Sequence, residues 1–216
     1  MLSDPYSQEA KSLNARSVLG MQAIGRGRAS LESFCGVMDM FPPVSGPSYR
    51  DHNQHLARVS LECCSENMLA ASAHLHQLHS ADPRALIDVA VTCDGTWSKR
   101  GFTATHGVIV VISWESGQVL VFQIMTKRCS VCARQKNVMD ETSEEYAKWW
   151  DDHQEVCEMN HLGSSPAMEC GGALMIWKRS EKLRLRFTEV ISDGDSKTIS
   201  TLIESKPYGE GVRHQT

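Results

Sequence analysis

Residues Leu86–Met125 read LIDVAVTCDGTWSKRGFTATHGVIVVISWESGQVLVFQIM, and this stretch decides the fold. Leu86–Cys93 is apolar and β-branched, and Gly107–Trp114 is nearly continuous in Val and Ile, a composition that suits strands better than helices. Glu115-Ser116-Gly117-Gln118 supplies a turn, and Val119–Met125 returns from it as a third strand. The three segments predict an antiparallel meander. Strand one runs directly into Asp94-Gly95, a common turn signal, so Asp94 is expected at a strand end.

Downstream the pattern turns helical. Thr142 and Glu145 have capping-box spacing and open a helix expected to continue through Trp149, Trp150, His153 and Cys157. A further helix is expected over Pro166–Lys178, and Leu185–Ile191 reads as a fourth strand running into Ser192-Asp193-Gly194-Asp195. A strand that rejoins a sheet through a helical crossover usually lies parallel to its neighbour. If strand four pairs beside strand one, Asp94 and Asp193 share one edge of an α/β, ribonuclease H-like mixed sheet: a three-strand meander plus a parallel fourth strand.

Carboxylates at the ends of neighbouring strands are a usual way to hold magnesium, which takes oxygen ligands and keeps one or two carboxylates together with substrate phosphate. Two such ions, about 3.5–4 Å apart, clamp the attacking and leaving oxygens of a phosphodiester. Asp94 is therefore a candidate catalytic acid. Asp193 follows strand four at once, while Asp195 would begin the next helix and could cap it; both stay candidates. The plainer reading of Asp193–Ser196 is a turn with an N-cap. Glu169 lies on the crossover helix and is more simply a solvated glutamate. Lys99 and Arg100 could contact DNA phosphate but are more simply a solvated turn, and Trp97 is read as a packing residue.

The cysteines form the second constellation. Cys129-Ser130-Val131-Cys132 follows strand three and can present two thiolates to one ion. His153 and Cys157, four apart on the expected helix, share a face and can supply two more ligands, with His161 as substitute for His153. Four N/S donors of this kind close a tetrahedral structural zinc site, whereas the plainer reading is isolated thiols and a surface histidine. Cys35, Cys63, Cys64, Cys93 and Cys170 read as core or free thiols.

The first 80 residues are expected to be helical, one helix carrying Leu31, Phe34, Val37 and Met38 on a face and another running from about His52 to Leu78. His52, His55, His74, His76 and His79 read as exposed or capping histidines. The division expected is a helical segment over 1–80 and a partial ribonuclease H-like domain over 81–216, with a Cys/His insertion at about 129–161. With 41% hydrophobic and 22% charged residues the chain is of ordinary globular composition. Its formal net charge of −4 offers no global basic field for nucleic acid. No apolar run spans a bilayer and the N-terminus lacks a signal-peptide pattern, so a nuclear or cytoplasmic protein without membrane partners is expected.

DGTWSKRGF (94–102), CSVC (129–132), HQEVCEMNHLGSSPAMECGGA (153–173), WKRS (177–180), SDGDSKT (192–198) and Lys206-Pro207-Tyr208-Gly209 together resemble the Mutator-like transposase domain of animal genomes. The resemblance runs from about Ala10 to the C-terminal end. It implies a ribonuclease H-like DDE core that uses Mg2+ or Mn2+ to cut and join DNA at transposon ends without a covalent intermediate, and it leaves homo-oligomerisation open. It also implies a third acid from a later helix. After Asp195 come only Glu204 and Glu210, and Glu204 is nearer than that spacing. A truncated or decayed copy is the corresponding expectation, inactive by itself, and a zinc-stabilised DNA- or protein-interaction module is the alternative function.

Overall fold

The computed structural model describes residues 5–98, 103–192, 197–209 and 212–215. They divide into two compact units, residues 1–66 and 67–216.

The first unit holds α1 (Pro5–Ala23), α2 (Arg28–Val37) and the larger part of α3 (Gly46–Leu78). Gly25, at φ 66°, stops α1 as only a residue without Cβ does cheaply, while Arg26 N–H closes back on the Met21 carbonyl at 2.7 Å. Val18, Leu31, Cys35 and Tyr49 form its small core.

The second unit is built on five strands in the order β3-β2-β1-β4-β5. β1 (Ile87–Trp97), β2 (His106–Ser113) and β3 (Val119–Thr126) form the expected antiparallel meander. β4 (Leu185–Ile191) lies parallel to β1, with Ile87 opposite Leu185 and Val91 opposite Val190. The crossover between β3 and β4 carries α4 (Ser130–Gln135), α5 (Glu144–His153) and α6 (Ser165–Arg179); α7 (Lys197–Ser205) then leads to β5 (Arg213–Gln215), parallel to β4. The result is an α/β mixed sheet compatible with the ribonuclease H-like fold.

Alternation places Ile87, Val89 and Val91 of β1 inward, where they meet Ile109, Val111, Leu185 and Phe187 with Ala71 and Leu75 of α3 and Met168, Ala173, Ile176 and Trp177 of α6. Trp177 is fully buried, donates its indole N–H to the Phe187 carbonyl at 2.9 Å and meets the Phe187 ring edge-on. α6 approaches β2 closely at Gly172, where a Cβ would come 2.6 Å from Ile109 Cδ1. The end of α3 is tied down by its histidines. His79 faces Glu115 at 3.0 Å and His74 meets Gln118 at 2.8 Å. His76, expected as an exposed or capping histidine, is buried, its ring nitrogens against the Ser72 and Ala85 carbonyls.

Two expectations need correction. β1 does not end at Asp94 but pairs with β2 as far as Trp97 opposite Gly107. Gly95 is a strand residue because its missing side chain admits two neighbours: a Cβ there would lie 3.1 Å from Trp97 Cζ2 and 3.4 Å from Glu169 Cγ. α5 is capped by Ser143, whose Oγ accepts from Tyr146 N–H at 3.1 Å, because Thr142 turns back to Asp140. The segment closing the chain supplies the short strand β5.

Candidate metal centres

The first centre lies in the C-terminal half of β1. Asp94 is exposed, pairs across the ladder with Val110, and takes the Gly95 N–H on Oδ1 at 2.7 Å. One residue to either side, the strand turns Cys93 and Gly95 toward α6. There Glu169, half-buried, lies over Gly95 and accepts a hydrogen bond from Thr198 of α7 at 3.0 Å. Burial pushes the Cys93 thiol up to about 12, and the charges of Glu169 and Asp94 push it the same way. Two carboxylates from different elements therefore act on one short piece of β1. Because β4 is parallel to β1, the C-terminal ends of both strands lie at the same side of the sheet. Asp193 and Asp195, with Lys99 and Arg100, lie outside the described residues. Trp97 packs as expected: a Cβ on Gly107 would meet its ring at 2.1 Å.

The second centre is assembled by the crossover. Cys129 sits in extended backbone at the N-cap of α4 and Cys132 lies in its first turn, three positions on and on the same side. Both are buried. Thr126 shapes the approach, its hydroxyl donating to the Arg128 carbonyl and accepting the Arg128 N–H. His153 is the last residue of α5 and is buried. Cys157 is not on that helix: a 3-10 turn over Gln154–Val156 intervenes, and Cys157 itself is extended. The turn nevertheless brings it back to Cys132.

The ligand atoms of Cys129, Cys132, His153 and Cys157 all lie within 4.8 Å of one another. Cys129 Sγ is 3.4 Å from His153 Nε2, and Cys132 Sγ is 3.5 Å from Cys157 Sγ. A tetrahedral zinc, with bonds of about 2.3 Å to sulfur and 2.0 Å to nitrogen, sets its ligand atoms roughly 3.5–3.8 Å apart. The donor set and its spacing fit such an ion. Trp149 stacks on the His153 ring at 4.7 Å and 15°, which fixes the imidazole plane. Burial alone would raise the Cys129 thiol. N–H groups of Cys132 and Glu158, with bonds to His153 and Cys132, outweigh it and bring the thiol down to about 6. Cys132 is pushed up to about 12 by burial, then by its bonds to Cys157 and Cys129. Thiols crowded this way ionise together only beside a cation.

A family model described as Mutator-like transposase matches residues 5–215. The chain belongs to the Mutator-like transposase family. No curated protein and no solved structure matches it.

Within this transposase-family chain the Cys3His set comes together as its spacing suggested, although one ligand reaches the group from a turn. His161 stays outside it, its ring against the Ser164 carbonyl at 3.1 Å. Two positioning features carried no sequence signal. Thr198 holds Glu169 across a separation of 29 residues. Asn160 clips the end of the Cys/His segment to the edge of β3, accepting from Thr126 N–H at 2.9 Å and donating to the Ile124 carbonyl at 2.9 Å. An asparagine between Met159 and His161 looks like any loop residue until its strand partner is known.

Proposed function

We propose that this transposase-family chain holds a divalent cation, Mg2+ or Mn2+, with Asp94 of β1 and with Asp193 or Asp195, which come after β4 in the sequence, and engages transposon DNA there. The ion would supply charge neutralisation and oxygen activation for direct strand cleavage and joining. The residues' own part is to fix its position. Asp94 offers a carboxylate from β1, and Asp193 follows the last residue of β4 after Ser192 in the sequence. One observation carries the reading: β4 runs parallel beside β1, with Val91 opposite Val190, so both strands run toward the same side of the sheet. Action on DNA would place the protein's work in the nucleus.

The test pairs Mn2+ binding by calorimetry with nicking of supercoiled plasmid, for the native chain and Asp94→Asn. Mn2+- and Asp94-dependent nicking makes the chain an enzyme by itself. Mn2+ binding without nicking leaves a transposase-derived module that holds metal and DNA without cutting. No Asp94-dependent binding of Mn2+ sinks the proposal.

A second reading is favoured by the sulfur and nitrogen spacing described above. Cys129, Cys132, His153 and Cys157 hold one structural zinc, and the retained role is that of a zinc-stabilised interaction module. Elemental analysis of the purified chain should find about one zinc per molecule, lost in Cys132→Ser.

A further inference from the structure

α5 buries a single residue, His153. Yet Tyr146, Trp149, Trp150 and His153 recur at three- and four-residue spacing, so they form one stripe on one face. The rings are continuous: Tyr146 to Trp149 at 5.3 Å, Trp149 to Trp150 at 6.2 Å, and Trp149 stacked on His153. The three aromatic residues before His153 are only half-buried. A stripe of this size normally faces a core. Here its flanks carry charge instead.

From Asp140 through Glu158 the sequence has eight acidic residues against one lysine. The whole chain is formally −4, so the rest of it is net basic. Glu144, Glu145, Asp151, Asp152 and Glu155 are all exposed, and among the described residues none of them joins a salt bridge; in this stretch only Glu141 does, with Lys136. Such a face repels phosphate. Single-stranded nucleic acid is held by aromatic platforms set in a positively charged groove, and this platform is set in a negative one. Cations suit it on both counts: guanidinium and ammonium groups rest on indole and phenol faces, and the flanking carboxylates take up their charge.

We propose that the Tyr146–Trp150 face docks a basic segment, rich in arginine and lysine, of a partner protein. The inference is independent of the carboxylate site on β1. It assigns the Cys/His segment a role in protein contact and leaves DNA to other surfaces.

The experiment follows anisotropy of a fluorescein-labelled peptide of repeated Arg-Lys-Ser added to the zinc-loaded full chain, beside a labelled oligonucleotide. The peptide should bind and be released by salt. Tyr146→Ala with Trp150→Ala should weaken it about tenfold. Asp151→Asn with Asp152→Asn should weaken it several-fold and flatten the salt dependence. Neither pair should change oligonucleotide binding. Zinc content and circular dichroism check that the variants are folded; should the aromatic pair disturb the fold, the exposed Asp pair carries the test. Peptide binding indifferent to the Asp pair, or oligonucleotide binding that falls with it, overturns the proposal. So does a dimer in sedimentation that the same substitutions dissociate and the peptide does not, since the face would then belong to a second copy.

Discussion

Replacing Cys132 by serine removes the link between α4 and the turn that carries Cys157. Those two sulfurs join residues 25 apart. A cross-link over that span withdraws about 3.5 kcal/mol of chain entropy from the unlinked state. α5 has little else to hold it, since His153 is its one buried residue and is itself a ligand candidate. The loss should therefore fall on α4 and α5. Hydrogen exchange of α5 amides should be a few hundredfold faster in Cys132→Ser than in the zinc-loaded native chain, the factor corresponding to that free energy. The β1, β2 and β4 amides should keep their protection, because the sheet core is made by Ile109, Trp177 and Phe187 without the cluster. Stripping the native chain with a chelator should give the same pattern. Unchanged α5 exchange in both would refute the reasoning.

Three further outcomes follow from particular contacts. Gly107→Ala drives a Cβ into the Trp97 ring at 2.1 Å and should cost about 1–3 kcal/mol in urea unfolding, with altered tryptophan emission. Tyr208→Phe strands the Phe187 N–H, which now donates to the Tyr208 hydroxyl at 3.0 Å, and should cost about 1–3 kcal/mol by the same assay. Zinc binding must take the proton from Cys132, whose thiol lies up at about 12, while Cys129, down at about 6, is already ionised at neutral pH. Apparent zinc affinity should thus rise by about tenfold per pH unit or more, Cys132 releasing one proton on binding, and fall as the pH drops; competition with a chromogenic chelator between pH 6 and 8 checks the slope.

The meander and β4 were legible because buried strands leave unbroken runs of Val, Ile and Leu, and Leu185–Ile191 has the bounds its composition suggested. β5 was not, since Arg213-His214-Gln215 is polar and becomes a strand only beside β4. Asp94-Gly95 reads locally as a turn; what makes it strand is Trp97 and Glu169 occupying the space a side chain would need. The Cys3His set was legible from spacing, but not the path to it, because a helix continued past His153 and a 3-10 turn both return Cys157 toward Cys132. Glu169 differs from any solvated helix glutamate only through Thr198 and Gly95, contacts that appear once α6, α7 and β1 are packed.

The central claim, a divalent-cation site on β1 at Asp94 and the residues after β4, is tested most directly by Mn2+ titration of the zinc-loaded chain, followed by paramagnetic broadening of backbone amides. The account predicts that broadening centres on Asp94 and Gly95 and disappears in Asp94→Asn while the fold and zinc content stay unchanged. Broadening spread evenly over surface carboxylates, or retained in Asp94→Asn, would contradict it.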